Sequence, residues 1–92
     1  MENAKNELLE LIKDKKLKCA QIAGLNLKIG FTIEERVKFI NDLDFEYDSG
    51  YGKQELYGTV WFEDNTWAER GEYDGSEWWN YKSVPEIPEE LA

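Results

Sequence analysis

From Glu55 to Lys82, three runs rich in β-branched and aromatic residues are separated by two short turn pairs, Asp64-Asn65 and Asp74-Gly75. Such residues pack well on a pleated surface, and Asp-Gly is a favoured two-residue hairpin pair. Taken together with the alternating run 42–48 ahead of them, joined by a glycine-rich loop at 49–52, the pattern predicts an antiparallel meander with strands at 42–48, 55–63, 66–73 and 76–82. With both turns read as two-residue loops, Glu63 faces Thr66, Phe62 faces Trp67, Arg70 faces Trp79, Gly71 faces Trp78 and Tyr73 faces Ser76. One face then carries Leu56, Val60, Phe62, Trp67, Tyr73 and Trp78, assigned to the core. The other carries Tyr57, Thr59, Trp61, Ala68, Arg70, Trp79 and Tyr81, and a one-residue shift exchanges the two sets. In either register the aromatic residues exceed what two short helices cover. This predicts an exposed aromatic interface, with Tyr57, Trp61, Trp79 and Tyr81 as its members, and a homodimer through one sheet face or its edge.

Upstream of the meander, Leu8, Leu9, Leu11 and Ile12 recur with helical periodicity among straight-chain residues, which predicts a helix near 3–16. Leu25, Leu27 and Ile29 alternate as in a short strand, although Ala23-Gly24 suits the end of a helical turn equally well. Thr32 followed by Glu35 fits a capping box, so a second helix is expected to run to about Asn41 and to bury Ile33, Val37, Phe39 and Ile40. Ninety-two residues suffice for one small core. The expected fold is α+β, two helices on a four-to-five-stranded, mainly antiparallel sheet over residues 1–84. An extended acidic tail follows at 85–92, where Pro85 and Pro88 block sheet pairing.

Charge is unevenly placed. The chain carries 20 acids against 11 bases, a formal charge of −9. Residues 1–30 hold four acids and six bases, whereas residues 31–92 hold sixteen acids and five bases. Within the acidic part, Asp42, Asp44, Glu46 and Asp48 alternate with Leu43, Phe45 and Tyr47. In an extended strand such acids share a face at about 6.5 Å spacing, close to the roughly 7 Å between successive phosphates on a nucleic-acid strand. The same pattern also suits a solvated edge strand guarded against aggregation, and acidity alone favours solubility. A polyanionic surface repels nucleic acid and anionic membrane and attracts proteins with basic surfaces.

Several function classes lack their residues. There is no His, and the single Cys19 has no disulfide partner within the chain, which points to a reducing compartment and to Cys19 as a small packing residue. No nucleophile stands beside a plausible base, and paired carboxylates of the glycosidase kind are hard to build on a small meander. The expectation is a protein without enzymatic activity, metal or cofactor. Asp44, Glu46, Asp48 and Glu55 fall at positions 1, 3, 5 and 12 of an EF-hand-like loop, but Ser49 occupies the position of the sharp-turn glycine and a strand pattern follows. The N-terminus has no signal pattern and no apolar run approaches a membrane span, so a soluble, cytoplasmic protein is expected.

The aromatic residues are interleaved with acids, as in Trp61-Phe62-Glu63-Asp64, Glu72-Tyr73-Asp74 and Glu77-Trp78-Trp79. Acid beside aromatic suits Arg and Lys, through ion pairing and cation–π contact. Candidate surrogates for phosphate are Asp42, Asp44, Glu46, Asp48, Glu63, Asp64, Glu69, Glu72, Asp74 and Glu77. In size, acidity and the segments 57–64 and 67–79 the chain resembles the small acidic early proteins of T-even-type phages, the anti-restriction-nuclease (Arn) proteins in particular. That resemblance implies a DNA mimic acting in the host cytoplasm. It would inhibit a modification-dependent restriction endonuclease such as McrBC, with nucleoid-associated proteins as further targets and no direct binding to nucleic acid. The basic N-terminal third departs from a uniformly anionic surface and confines any mimicry to one side. The alternatives are an anti-CRISPR inhibitor or another interaction module that recognises its partner through the aromatic face.

Overall fold

The computed structural model describes residues 1–48, 54–73, 76–83 and 87–91. In chain order the elements are β1 (Glu2–Asn3), α1 (Ala4–Ile12), β2 (Leu17–Ile22), β3 (Leu25–Leu27), α2 (Ile33–Asp42), β4 (Glu46–Tyr47), β5 (Gly58–Phe62), β6 (Thr66–Tyr73) and β7 (Ser76–Ser83). The main sheet has the order β3-β2-β5-β6-β7, antiparallel throughout, and β1 pairs with β4 in a separate two-stranded ladder. The expected α+β architecture of two helices on a mainly antiparallel five-stranded sheet is the one observed. Among the described residues no helix is long and apolar enough to cross a membrane.

α1 ends at Ile12, earlier than its expected limit. Lys13, Asp14, Lys15 and Lys16 offer nothing apolar with which to extend the buried stripe of Ala4, Leu8 and Ile12, and Leu17 starts a strand opposite Phe62. α2 carries the expected capping box at Thr32 and Glu35, but buries only Phe39 and Ile40, with Leu43 just beyond its end. Ile33 and Val37, expected in the core, are exposed. The covered stripe thus runs along the C-terminal half of the helix, with Leu43 four residues beyond Phe39 on the same side.

β6 and β7 pair in the expected register, with Arg70 opposite Trp79, Gly71 opposite Trp78 and Tyr73 opposite Ser76. The preceding hairpin differs by one residue, because Trp61, not Phe62, faces Trp67. Asn65 adopts a left-handed conformation with φ 66°, and Asp64 accepts a hydrogen bond from the Thr66 amide. Three residues rather than two therefore make the turn, a common hairpin alternative closed by a left-handed residue. The odd residue inverts β6 and β7 relative to β5. Ala68, Arg70, Trp79 and Tyr81 consequently lie on the helix side, while Trp67, Tyr73 and Trp78, expected in the core, lie on the opposite side, with Tyr73 77% exposed. Burying a side chain as large as Phe62 contributes about 1.5–3 kcal/mol. A slip that exchanged Phe62 for Trp61 would forfeit that term.

The expected strand at 42–48 is mostly absent. Asp42 is the last residue of α2, and only Glu46 and Tyr47 pair as a strand, with Asn3 and Glu2. Part of the expected extended tail is a 3-10 turn at Glu89–Leu91. The glycine-rich segment from Ser49 to Gly52, the Asp74-Gly75 pair and Pro85 lie outside the described residues.

A buried ion network ties these parts together. The Arg70 side chain, 1% exposed, reaches Glu7 on α1 at 3.2 Å and Glu77 on β7 at 3.5 Å, and Glu77 is 0% exposed. Glu77 accepts in turn from the amides of Glu55 and Leu56, at 2.7 and 2.9 Å, which fixes the approach to β5. Removing one partner of a buried pair leaves an uncompensated charge and costs about 3–5 kcal/mol. Arg70→Leu is therefore expected to lower the unfolding free energy by about that amount in urea titration, and a loss below about 1 kcal/mol would contradict this role.

Candidate functional site

Asn3 organises one end of the molecule. Its side-chain oxygen caps α1 by accepting from the Asn6 amide at 2.9 Å, and its side-chain amide donates to the Asp44 carboxylate at 3.1 Å. The Ala4 amide donates to the carbonyl of Phe45 at 3.0 Å. These bonds hold β1, the start of α1 and β4 side by side. Between them and β7 lies an open groove of about 700 Å³, lined by Glu2, Glu7, Glu10, Glu46, Leu11 and Trp79 among others.

Glu7 joins this groove to the buried network. Tyr47 donates a short hydrogen bond to Glu7, while Arg70 donates to the Tyr47 hydroxyl at 2.7 Å. The guanidinium lies 5.1 Å from the Trp79 ring centroid and 5.6 Å from that of Tyr47, within cation–π range. Burial first, and then the bond to Glu7, push the Tyr47 phenol well above its ordinary value of 10.0. The phenol stays protonated and donating. Among the described residues, Arg70 Nε and Trp79 Nε1 are buried without a hydrogen-bond partner.

The ten acids singled out from the sequence do not form one array. Asp44, Glu46 and Asp48 are exposed on alternate positions around β4, with Tyr47 buried between the last two. Asp42 belongs instead to α2 and pairs with Lys38 at 2.7 Å. Asp64 pairs with Lys15 at 2.6 Å, and Glu69 with Lys82 at 2.5 Å on the far face of the sheet. Glu77 is a buried structural partner of Arg70, so it has no surface from which to replace a phosphate. Glu63 and Glu72 are exposed, and Asp74 lies outside the described residues. Of the aromatic set, Tyr57, Trp61 and Tyr81 are exposed, but Trp61 lies on the side away from the helices and Tyr81 on the helix side, its ring centroid 6.1 Å from that of Phe62, whereas Trp79 packs against the core. The four do not share a face.

Glu2, Glu7 and Glu10 were not legible as site residues, because the N-terminal third is basic in total. The available signal was the Glu7 and Glu10 spacing of three on one helix flank, next to Asn3 and Asn6. Half of the bases of that third gather beside the groove: Lys13, Lys15 and Lys16, with Arg36 of α2, line a second depression of about 600 Å³ that also holds Glu63. The two depressions meet where Lys13 pairs with Glu10 at 2.6 Å.

Among the described residues no group of three or more acids or cysteines is placed to hold a metal ion, and Ser49 and Gly50 of the calcium-like loop lie outside them. Comparison with protein-family models, curated proteins and solved structures gives no match.

Hydrogen bonds from Lys15 and then Thr66 lower the Asp64 carboxyl from 3.8 to about 2. For a depressed acid, the stabilising contribution is complete above the ordinary carboxyl range and is lost as pH falls through the lowered value. Lys15→Met is expected to return the Asp64 midpoint toward 3.8, read by carbon NMR of the carboxyl. An unchanged midpoint would remove Lys15 as the cause.

Proposed function

We propose that this protein is a non-catalytic inhibitor that mimics DNA, offering carboxylates to the nucleic-acid-binding surface of a basic protein. The observation that carries the reading is the exposed alternation of Asp44, Glu46 and Asp48 around β4, with Glu46 lining the groove beside Glu2 and Glu10. Glu46 and Tyr47 are extended, Asp44 stands in the turn that ends α2, and the bonds from Asn3 to Asp44 and from Ala4 to Phe45 limit how far this segment moves. The row is one carboxylate shorter than the alternation in the sequence, since Asp42 turns away into α2.

The mechanism is occupancy. Fixed carboxylates meet Arg and Lys side chains already positioned for phosphates, both sides release counterions, and duplex DNA is excluded. Trp79 and Leu11 in the groove give an apolar lining against which the stem of a basic side chain lies. The class of target is a DNA-binding host protein, with a McrBC-type modification-dependent endonuclease or a nucleoid-associated protein as the particular candidates.

Converting Asp44, Glu46 and Asp48 together to Asn, Gln and Asn is expected to leave folding nearly intact, because exposed carboxylates contribute little stability. Binding to the DNA-binding domain of such an endonuclease is expected to weaken. The slope of log affinity against log salt is expected to flatten by up to about 3. Excess target duplex should displace the unmodified protein. Simultaneous binding of duplex and protein, or an unaltered salt slope, would overturn the reading.

A further inference from the structure

Among the described residues, no helix covers one face of the five-stranded sheet. The buried cluster of α1, α2 and the sheet lies on the other side, which takes Ala20, Ile22, Val60, Phe62 and Ala68. By ladder register the open side takes Cys19, Trp61, Trp67, Glu69, Tyr73, Trp78 and Lys82, with Gly71 and smaller polar residues between them. Three of the four tryptophans of the chain therefore stand on the uncovered face, and Trp61 and Trp78 remain 40% and 42% exposed. A Cβ at Gly71 would come within 2.9 Å of Trp78 Nε1, so the glycine lets the indole lie against the β6 backbone.

We propose that this face is a self-association surface, closed by a second copy of this chain. Charge selects the occupant. Among the ladder positions on this side, Glu69 is the one acid and Lys82 the one base, and they neutralise each other at 2.5 Å. A molecule of net charge −9 thus has a sheet face with no net charge at its paired positions. Face-to-face stacking brings two copies together while keeping the acids of β1, α1 and β4 apart, and the one acid that a basic partner meets here, Glu69, is already paired with Lys82. Because the face holds one charge of each sign, a two-fold arrangement is self-complementary.

Area supports the same occupant. Strands about 4.8 Å apart and averaging roughly six residues give about 500 Å² per copy and about 1,000 Å² in all. That is the lower limit for a specific interface. The expected dimer is correspondingly weak, with a dissociation constant on the order of tens of micromolar.

The test is sedimentation equilibrium of the full chain over a concentration and salt series. The dimer is expected to strengthen as salt rises, because screening relieves repulsion between two anionic copies; binding of a basic target through the acidic rim weakens under the same change. The two surfaces are therefore separable, and either stands if the other fails. Trp61→Lys and Trp78→Lys are each expected to weaken the dimer at least about tenfold, since each buries an unpaired charge. Val37→Lys, on the exposed flank of α2, is expected to leave it unchanged. A second measurement needs no variant: acrylamide quenching of tryptophan fluorescence should fall with concentration in step with dimer formation. A chain that stays monomeric up to about 1 mM, a dimer that survives both tryptophan changes, one lost in Val37→Lys, or quenching independent of concentration would overturn the proposal.

Discussion

The guanidinium of Arg70 is the point on which the arrangement of this small protein depends. It projects from β6 and meets Glu77 of the neighbouring β7 together with Glu7 of α1 and Tyr47 of β4, two elements distant in sequence. A buried ion pair is a poor source of net stability, because desolvation offsets most of the attraction. Its value here is placement. Apolar packing alone allows α1 to slide on the sheet with little change in buried area, whereas a guanidinium with fixed donor directions accepts only one position of Glu7 and Tyr47. Glu77 extends the constraint by receiving the amides of Glu55 and Leu56, so that the chain enters β5 at a set height.

The same network sorts the charges. Arg70 holds Glu7 and Glu77 inward, and the acids that remain outward around β1 and β4 have no buried base to neutralise them. Of the lysines that follow α1, Lys15 joins Asp64 and Thr66 and lies 4.4 Å from the Tyr81 ring centroid. Lys13 pairs with Glu10 at 2.6 Å, so the acidic groove and the basic depression adjoin at the end of α1.

Sequence and structure agree where a single turn or cap determines the outcome. The capping box at Thr32 and the Arg70 to Trp79 register both depend on residues close in sequence, and both stand as expected. The face assignment of β6 and β7 depended on one backbone choice. Asn65 in a left-handed conformation adds a residue to the turn, and Asp-Asn is compatible with either loop length. Everything downstream then changed sides, including Trp67, Trp78 and Trp79. The carboxylate row was half legible, because alternation marks Asp44, Glu46 and Asp48 but says nothing of where α2 stops. The groove itself was illegible, since it joins Glu2 and Glu10 to Glu46 across some forty residues through a buried arginine that periodicity cannot identify as a hub.

If Arg70 fastens α1 and β4 to the sheet, the amides that depend on that junction open only when the whole fold opens. Native-state hydrogen exchange measures this directly at Ala4, which donates to Phe45, and at Leu56, which donates to Glu77. The account requires both to exchange with the same opening free energy as Val60 in the central strand β5, and to show the same dependence on denaturant. Exchange at Ala4 and Leu56 through a much smaller local opening, while Val60 stays protected, would show that the acidic rim is not held by the buried network.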